Sequence, residues 1–296
     1  MSIFRGPIAG PALLIVGHGT RSAEGVSQFV AHVNRIRAIS KVDVTGGFIE
    51  LSEPALADAV AELVAAGHRR VVAIPLVLVA AGHSKGDIPA ALKRESLRHP
   101  GLVFDYGRPL SGHPTILNLL TERLDAVLSP DKRTDTAVLL VGRGTTDPDA
   151  NADVARVARL FWEGRRLQMV EPAFVSLAEP SVLQGLERCR ALGAQRIVVL
   201  PYFLFSGVLP ERVITQARSW GRENQEIELR FADLIGDCLP LAGLVLERYA
   251  EALGGHVRVN CDACLYRIAL PGFETRVGAA QHPHDHPLDP TGDHEH

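Results

Sequence analysis

Short runs of valine, isoleucine and leucine alternate along this chain with longer stretches whose apolar residues recur every three or four positions. The first pattern suits strands buried on both faces, and the second suits helices with one apolar stripe. The spacing predicts strands over residues 12–16, 43–49, 70–79 and 102–106, with helices over 22–38, 54–66, 88–98 and 114–128. From residue 137 the series runs again. Strands are expected over 137–141, 169–175, 196–205 and 227–232, and helices over 149–163, 180–192, 210–220 and 240–253. Pro54, Pro114, Pro148 and Pro180 mark first helical turns, where a missing N–H costs nothing. Such alternation builds an α/β layer sandwich, here two halves, each a doubly wound parallel sheet of about four strands.

The two halves share residues as well as pattern. Ala12 to Gly19 reads ALLIVGHG and Ala137 to Gly144 reads AVLLVGRG. Gly47 to Pro54 answers to Ala173 to Pro180, and Arg70 to Pro75 to Arg196 to Pro201, at an offset of 125 or 126 throughout. A constant offset across three blocks is the signature of an internal repeat. The copies differ where chemistry is possible: His18 faces Arg143, Glu50 faces Ser176, and His83 faces Val208. One site per chain is expected, carried by the first half. The boundaries read as residues 1–130 for the catalytic half and 137–256 for the degenerate repeat. Residues 129–136 form the expected linker, residues 257–277 a Cys-x-x-Cys segment, and residues 278–296 a disordered His-rich tail.

Composition narrows the classes. Hydrophobic residues make up 46%, enough for a substantial core, and no apolar run reaches the roughly 18 residues of a membrane span. The first ten residues lack the pattern of a secretory signal, and four cysteines are too few for a disulfide scaffold. A reducing, cytoplasmic setting is expected. The net charge of −3 belongs to residues 257–296, with three basic and six acidic residues. The remaining body is balanced, which argues against nonspecific nucleic-acid binding.

In a parallel α/β sheet, ligands bind beyond the carboxyl ends of the strands. His18 follows the first strand, Glu50 closes the second, and His83 lies past the third. Two imidazoles and a carboxylate there suit a divalent metal or proton transfer near neutral pH. Taken singly, each has a plain alternative: a turn residue, a helix cap and an exposed loop histidine. Their shared location and shared loss in the second copy favour function. Asp87 and His113 read as helix N-caps, while His32, His68 and His99 read as surface residues. Cys261 and Cys264 form a Cys-x-x-Cys, suited to half a metal or cluster site or to a redox pair. Cys189 and Cys238 read as core residues. His282, His284, His286, His294 and His296 would make the tail a weak metal collector.

Val16-Gly17-His18-Gly19, Phe48-x-Glu50-x-x-x-Pro54 and Gly82-His83-x-x-x-Asp87-Ile88-Pro89 resemble the class II tetrapyrrole chelatases. The Asn260-Cys261-Asp262-x-Cys264-x-Tyr266-Arg267 segment and the His-rich end are similar to the long-form sirohydrochlorin cobaltochelatase group, CbiX. The resemblance spans essentially the whole chain. It implies two Rossmann-like half-domains facing across a cleft, with sirohydrochlorin and Co²⁺ as substrates on the anaerobic route to cobalamin. His18 and His83 would bind the incoming metal and take up pyrrole protons, with Glu50 assisting. Iron insertion (Fe²⁺, giving sirohaem) or nickel insertion (Ni²⁺) are the alternatives within the class, and a non-enzymatic metal-handling protein is the alternative outside it. The substrate's eight carboxylates call for cationic donors: Arg21, Lys85 and Arg143, with Arg212 a further candidate. Some relatives bind an iron–sulfur cluster through a segment like that at Cys261 and Cys264. With two walls in one chain a monomer suffices, and a dimer stays open.

Overall fold

The computed structural model describes residues 10–254 and Thr275. Cys261, Cys264 and the five tail histidines lie outside the described residues, as does the side chain of His83. All sixteen expected elements form. In the first repeat they are β1 (Ala12–Gly17), α1 (Ala23–Ile39), β2 (Val44–Phe48), α2 (Leu56–Ala65), β3 (Arg70–Pro75), α3 (Ile88–Arg98), β4 (Val103–Tyr106) and α4 (Pro114–Asp125). In the second they are β5 (Thr136–Gly142), α5 (Pro148–Trp162), β6 (Met169–Phe174), α6 (Val182–Ala191), β7 (Arg196–Pro201), α7 (Val208–Glu223), β8 (Glu228–Phe231) and α8 (Leu239–Leu253).

Each repeat forms its own parallel sheet, in the orders β2-β1-β3-β4 and β6-β5-β7-β8. Alternation along the strands divides the core. Leu14, Val16, Val71 and Ala73 pack with α2 and α3 through Leu56, Val60, Leu63, Ile88 and Leu92. Leu13, Ile15, Val72 and Ile74 are fully buried on the opposite face. Both central strands are buried at every position and almost wholly apolar, as a sheet covered on both sides requires.

The compact units cut across the repeats. One comprises residues up to Leu110 together with α8, and the other runs from Ser111 to Cys238 and includes α4. α8 packs against α1, β3 and β4, burying Leu241, Leu244 and Val245; α4 packs against α5 and β7, burying Ile116, Leu119, Leu120 and Leu124. An amphipathic stripe demands a sheet to cover, but does not specify whose. The expected linker over 129–136 is instead a 3₁₀ turn (Pro130–Asp135) leading into β5 within the second unit.

Other expectations need correction. β3 and β7 stop at Pro75 and Pro201, short of the apolar runs that follow, although Leu76 N–H still donates to Val16 O at 2.8 Å. Pro54 and Pro180 precede their helices by two residues, after cis peptides, whereas Pro114 and Pro148 do open theirs. His32 is fully buried on α1, and His68 is largely covered, its Nε2 lying 3.0 Å from Asp43 Oδ2. Cys189 is core, where burial pushes its thiol up to about 12, but Cys238 is only half-buried. Among the described residues no helix is long and apolar enough to cross a membrane.

Arg248 of α8 anchors this arrangement. It is 3% exposed, donates to the carbonyls of Pro109 (3.2 Å) and Leu110 (3.3 Å), and meets both carboxylate oxygens of Glu251 at 2.7 and 2.8 Å. Arg248→Met keeps the volume and removes these bonds. At about 1.5–3 kcal/mol for a hydrogen bond to a charged group, we expect a loss of roughly 2–4 kcal/mol, measured by urea unfolding.

Candidate functional site

β1 and β2 continue to pair past their ends. Ile49 N–H donates to Gly17 O at 3.0 Å and Glu50 N–H to His18 O at 3.1 Å, so residues 18 and 50 emerge side by side at the carboxyl edge. Glycine makes this possible. A Cβ on Gly17 would fall 2.7 Å from the Phe48 ring, and one on Gly19 (φ +121°) would fall 1.9 Å from Glu50 O. Leu51 then turns the chain at φ +64°, with Ser52 N–H bonded back to Glu50 O at 2.8 Å.

The consequence is a direct contact: His18 Nε2 lies 3.1 Å from Glu50 Oε1, both side chains mostly covered at 20% and 14% exposure. The other ring nitrogen, Nδ1, lies 3.3 Å from Gly19 O. Both nitrogens thus face oxygen acceptors. A neutral imidazole has one N–H and cannot donate to both, so the arrangement suits a second proton or a cation at Nε2. Around the pair the loops are tied: Thr20 N–H donates to Ser52 Oγ at 2.9 Å, Ser52 Oγ donates to Thr20 O, and Ser22 caps α1 through Gly25 N–H.

His83 opens a π-helical turn, His83–Asp87, that runs into α3 beyond the end of β3. β3 adjoins β1, so this turn belongs to the same edge of the same sheet. Within it Ser84 is 5% exposed, its Oγ donates to Ala81 O at 3.1 Å, and its carbonyl accepts from Tyr106 Oη at 2.7 Å. Asp87 is buried at 6% exposure but makes no side-chain capping bond to α3, contrary to expectation, because the π-helical turn runs straight into α3 and Asp87 (φ −66°, ψ −44°) is already helical. His113 does cap α4, accepting from Thr115 N–H at 3.2 Å. Arg21 is exposed and Lys85 half-buried in the first unit; Arg143 and Arg212 are exposed in the second. Among the described residues no three His, Cys, Asp or Glu side chains gather around one point.

The second repeat has the same frame with other side chains. Val175 N–H donates to Gly142 O and Ser176 N–H to Arg143 O, Gly144 has φ +83° with a would-be Cβ 1.8 Å from Ser176 O, and Leu177 turns at φ +59°. Ser52 becomes Ala178, and Tyr106 becomes Phe231, at the equivalent β4 and β8 register positions opposite Ala73 and Val199. Those two contrasts are site features that reading motif by motif missed. A column-by-column comparison of the repeats would have found them.

The CbiX family profile matches this chain twice, over residues 12–127 and 137–252. The chain belongs to the CbiX family. It is 37% identical over 88% of its length to the sirohydrochlorin cobaltochelatase of Priestia megaterium, covering 85% of that protein. It is 31% identical over 74% of its length to the same organism's sirohydrochlorin ferrochelatase, covering 82% of it. Among solved structures, SirB from Bacillus subtilis with Fe³⁺ superimposes at a TM-score of 0.72 and 26% identity, covering 84% of this chain and 99% of SirB. The CbiX match embraces the second repeat despite its missing His18 and Glu50 equivalents, so what the repeats share as family members is the scaffold.

Gly19→Ala and Gly144→Ala impose the same clash in the two repeats. Each should cost at least about 1–3 kcal/mol in urea unfolding, the scale of forced backbone strain. Only Gly19→Ala should also disturb the His18–Glu50 contact, read as a shift of the His18 ring resonances in NMR, because it alone pushes Glu50 away from His18.

Proposed function

We propose that this protein inserts Co²⁺ into sirohydrochlorin, releasing two protons, in the anaerobic assembly of cobalamin. The observation that carries the reading is the His18–Glu50 contact at 3.1 Å on the carboxyl edge of the first sheet. Metal insertion has two demands: the ion must shed water, and the macrocycle must lose two N–H protons. An imidazole beside a carboxylate serves both, holding the ion through nitrogen and oxygen and then accepting protons as the pyrrole nitrogens take the metal over. His83, on the adjoining strand's exit, would supply the second imidazole. Arg21, Lys85 and Arg143 would bind the carboxylates of the macrocycle, with Arg143 suited by its planar guanidinium to a bidentate grip.

Iron insertion is the second reading, favoured by the ferrochelatase relative at 31% identity. Nitrogen and oxygen donors accept either ion, so the donor set alone does not choose. Anaerobic assay with sirohydrochlorin and each of Co²⁺, Fe²⁺ and Ni²⁺, followed by absorbance, tests the assignment; turnover with Fe²⁺ well above that with Co²⁺ would replace cobalt by iron.

His18→Ala and His83→Ala should each lower insertion by about 10²–10⁴-fold, the usual worth of a positioned proton acceptor, with the fold intact by circular dichroism. Glu50→Gln should also slow insertion strongly, since it keeps size and loses the acceptor. Arg143→Ala should instead raise KM for sirohydrochlorin with kcat nearly unchanged, the pattern of a uniform binding contact.

A further inference from the structure

We infer that Tyr106 is a positioning residue for His83: its hydroxyl holds, through the Ser84 carbonyl, the π-helical turn on which His83 stands. The inference rests on the reading of His83 given above. Tyr106 ends β4, and its ring packs against the core cluster shared by α2 and α3. From there Oη donates to Ser84 O at 2.7 Å, across 22 residues of chain. Burial pushes the phenol up from its ordinary value, so it stays a donor at any working pH.

The turn needs such a donor. In a π-helical turn a carbonyl looks five residues ahead for its N–H. For Ser84 that residue is Pro89, which has none. A buried carbonyl left without a partner is costly, and the turn would relax toward ordinary helix, rotating residue 83 about the axis of α3. Tyr106 closes that gap from the side. Ser84 Oγ and Lys85 N–H, both bonded to Ala81 O, fix the other flank.

The second repeat is the internal control. There α7 begins directly after Gly207, no π-helical turn forms, Val208 stands where His83 would, and the β8 residue equivalent to Tyr106 is Phe231. The hydroxyl, the wide turn and the histidine are present together in one copy and absent together in the other. Phe231 also shows that a phenylalanine fits this register position, so Tyr106→Phe is a change the fold accommodates.

The test uses the full chain and four variants: Tyr106→Phe, His83→Ala, the double variant, and Phe231→Tyr as control. Co²⁺ affinity is measured by anaerobic absorbance titration, and local opening by hydrogen exchange of peptides covering residues 83–87 and, for reference, β1. Tyr106→Phe should weaken Co²⁺ binding about fivefold, the worth of one net hydrogen bond, and speed exchange in 83–87 but not in β1. His83→Ala should weaken binding further, and the double variant should bind no worse than His83→Ala, because Tyr106 acts only through His83. Phe231→Tyr should change neither. Wild-type affinity in Tyr106→Phe overturns the positioning role whatever the exchange shows, as do losses that add in the double variant. Wild-type affinity in His83→Ala would instead remove His83 from the proposed chemistry, and Tyr106's role with it.

Discussion

Two backbones pass so closely at Gly19 and Glu50 that no side chain fits between them, and the rim of the first sheet is organised by that approach. A Cβ at position 19 would lie 1.9 Å from a carbonyl oxygen, well inside any contact distance. Because the strands stay paired one residue past the end of β1 and two past the end of β2, the side chains of His18 and Glu50 leave the sheet together and meet. The site is therefore held by backbone hydrogen bonds and tight loops on rigid strand ends, which confers precision that side-chain packing alone would not.

The duplication separates what the scaffold requires from what the chemistry requires. Gly144 repeats the close approach and Leu177 repeats the left-handed turn of Leu51, a conformation that costs a branched residue about 1–3 kcal/mol. That cost is met in both copies, including the one without His18 and Glu50 equivalents. The strained turn thus belongs to how β2 and β6 leave their sheets. The His18–Glu50 pair is set on that frame in one copy alone.

The strands and helices were legible because their patterns are strong: β1 is apolar at every position and β5 at every position after Thr136, and the helices show clear stripes. What the residues 76–79 do was not legible, since a run such as Leu76-Val77-Leu78-Val79 reads as strand until one knows that β1 has already ended beside it. The wide turn at His83–Asp87 leaves no periodic trace in five residues, so Asp87 was read as an ordinary cap. His32 was misread because a histidine on a helix was taken for a surface residue, yet its spacing puts it on the buried side with Phe29, Val33 and Ile36. Within the site, His18 and Glu50 were legible through the contrast with Arg143 and Ser176. Tyr106 was not, because one hydroxyl against Phe231 looks like a neutral aromatic exchange.

The allocation of α4 and α8 has a temporal meaning. Residues 111–238 form a continuous stretch, complete once α7 and β8 have been synthesised, whereas the unit that carries His18 and Glu50 lacks its covering helix until residues 239–253 are made. On a ribosome the sheet that emerges first is finished last. β3 and β4 wait with one apolar face uncovered while some 130 residues are added, a long-range closure of the kind that slows folding. The unit with the His18–Glu50 contact is thus the one most dependent on the chain's late arrival, and it acquires its full architecture only after the other unit is complete.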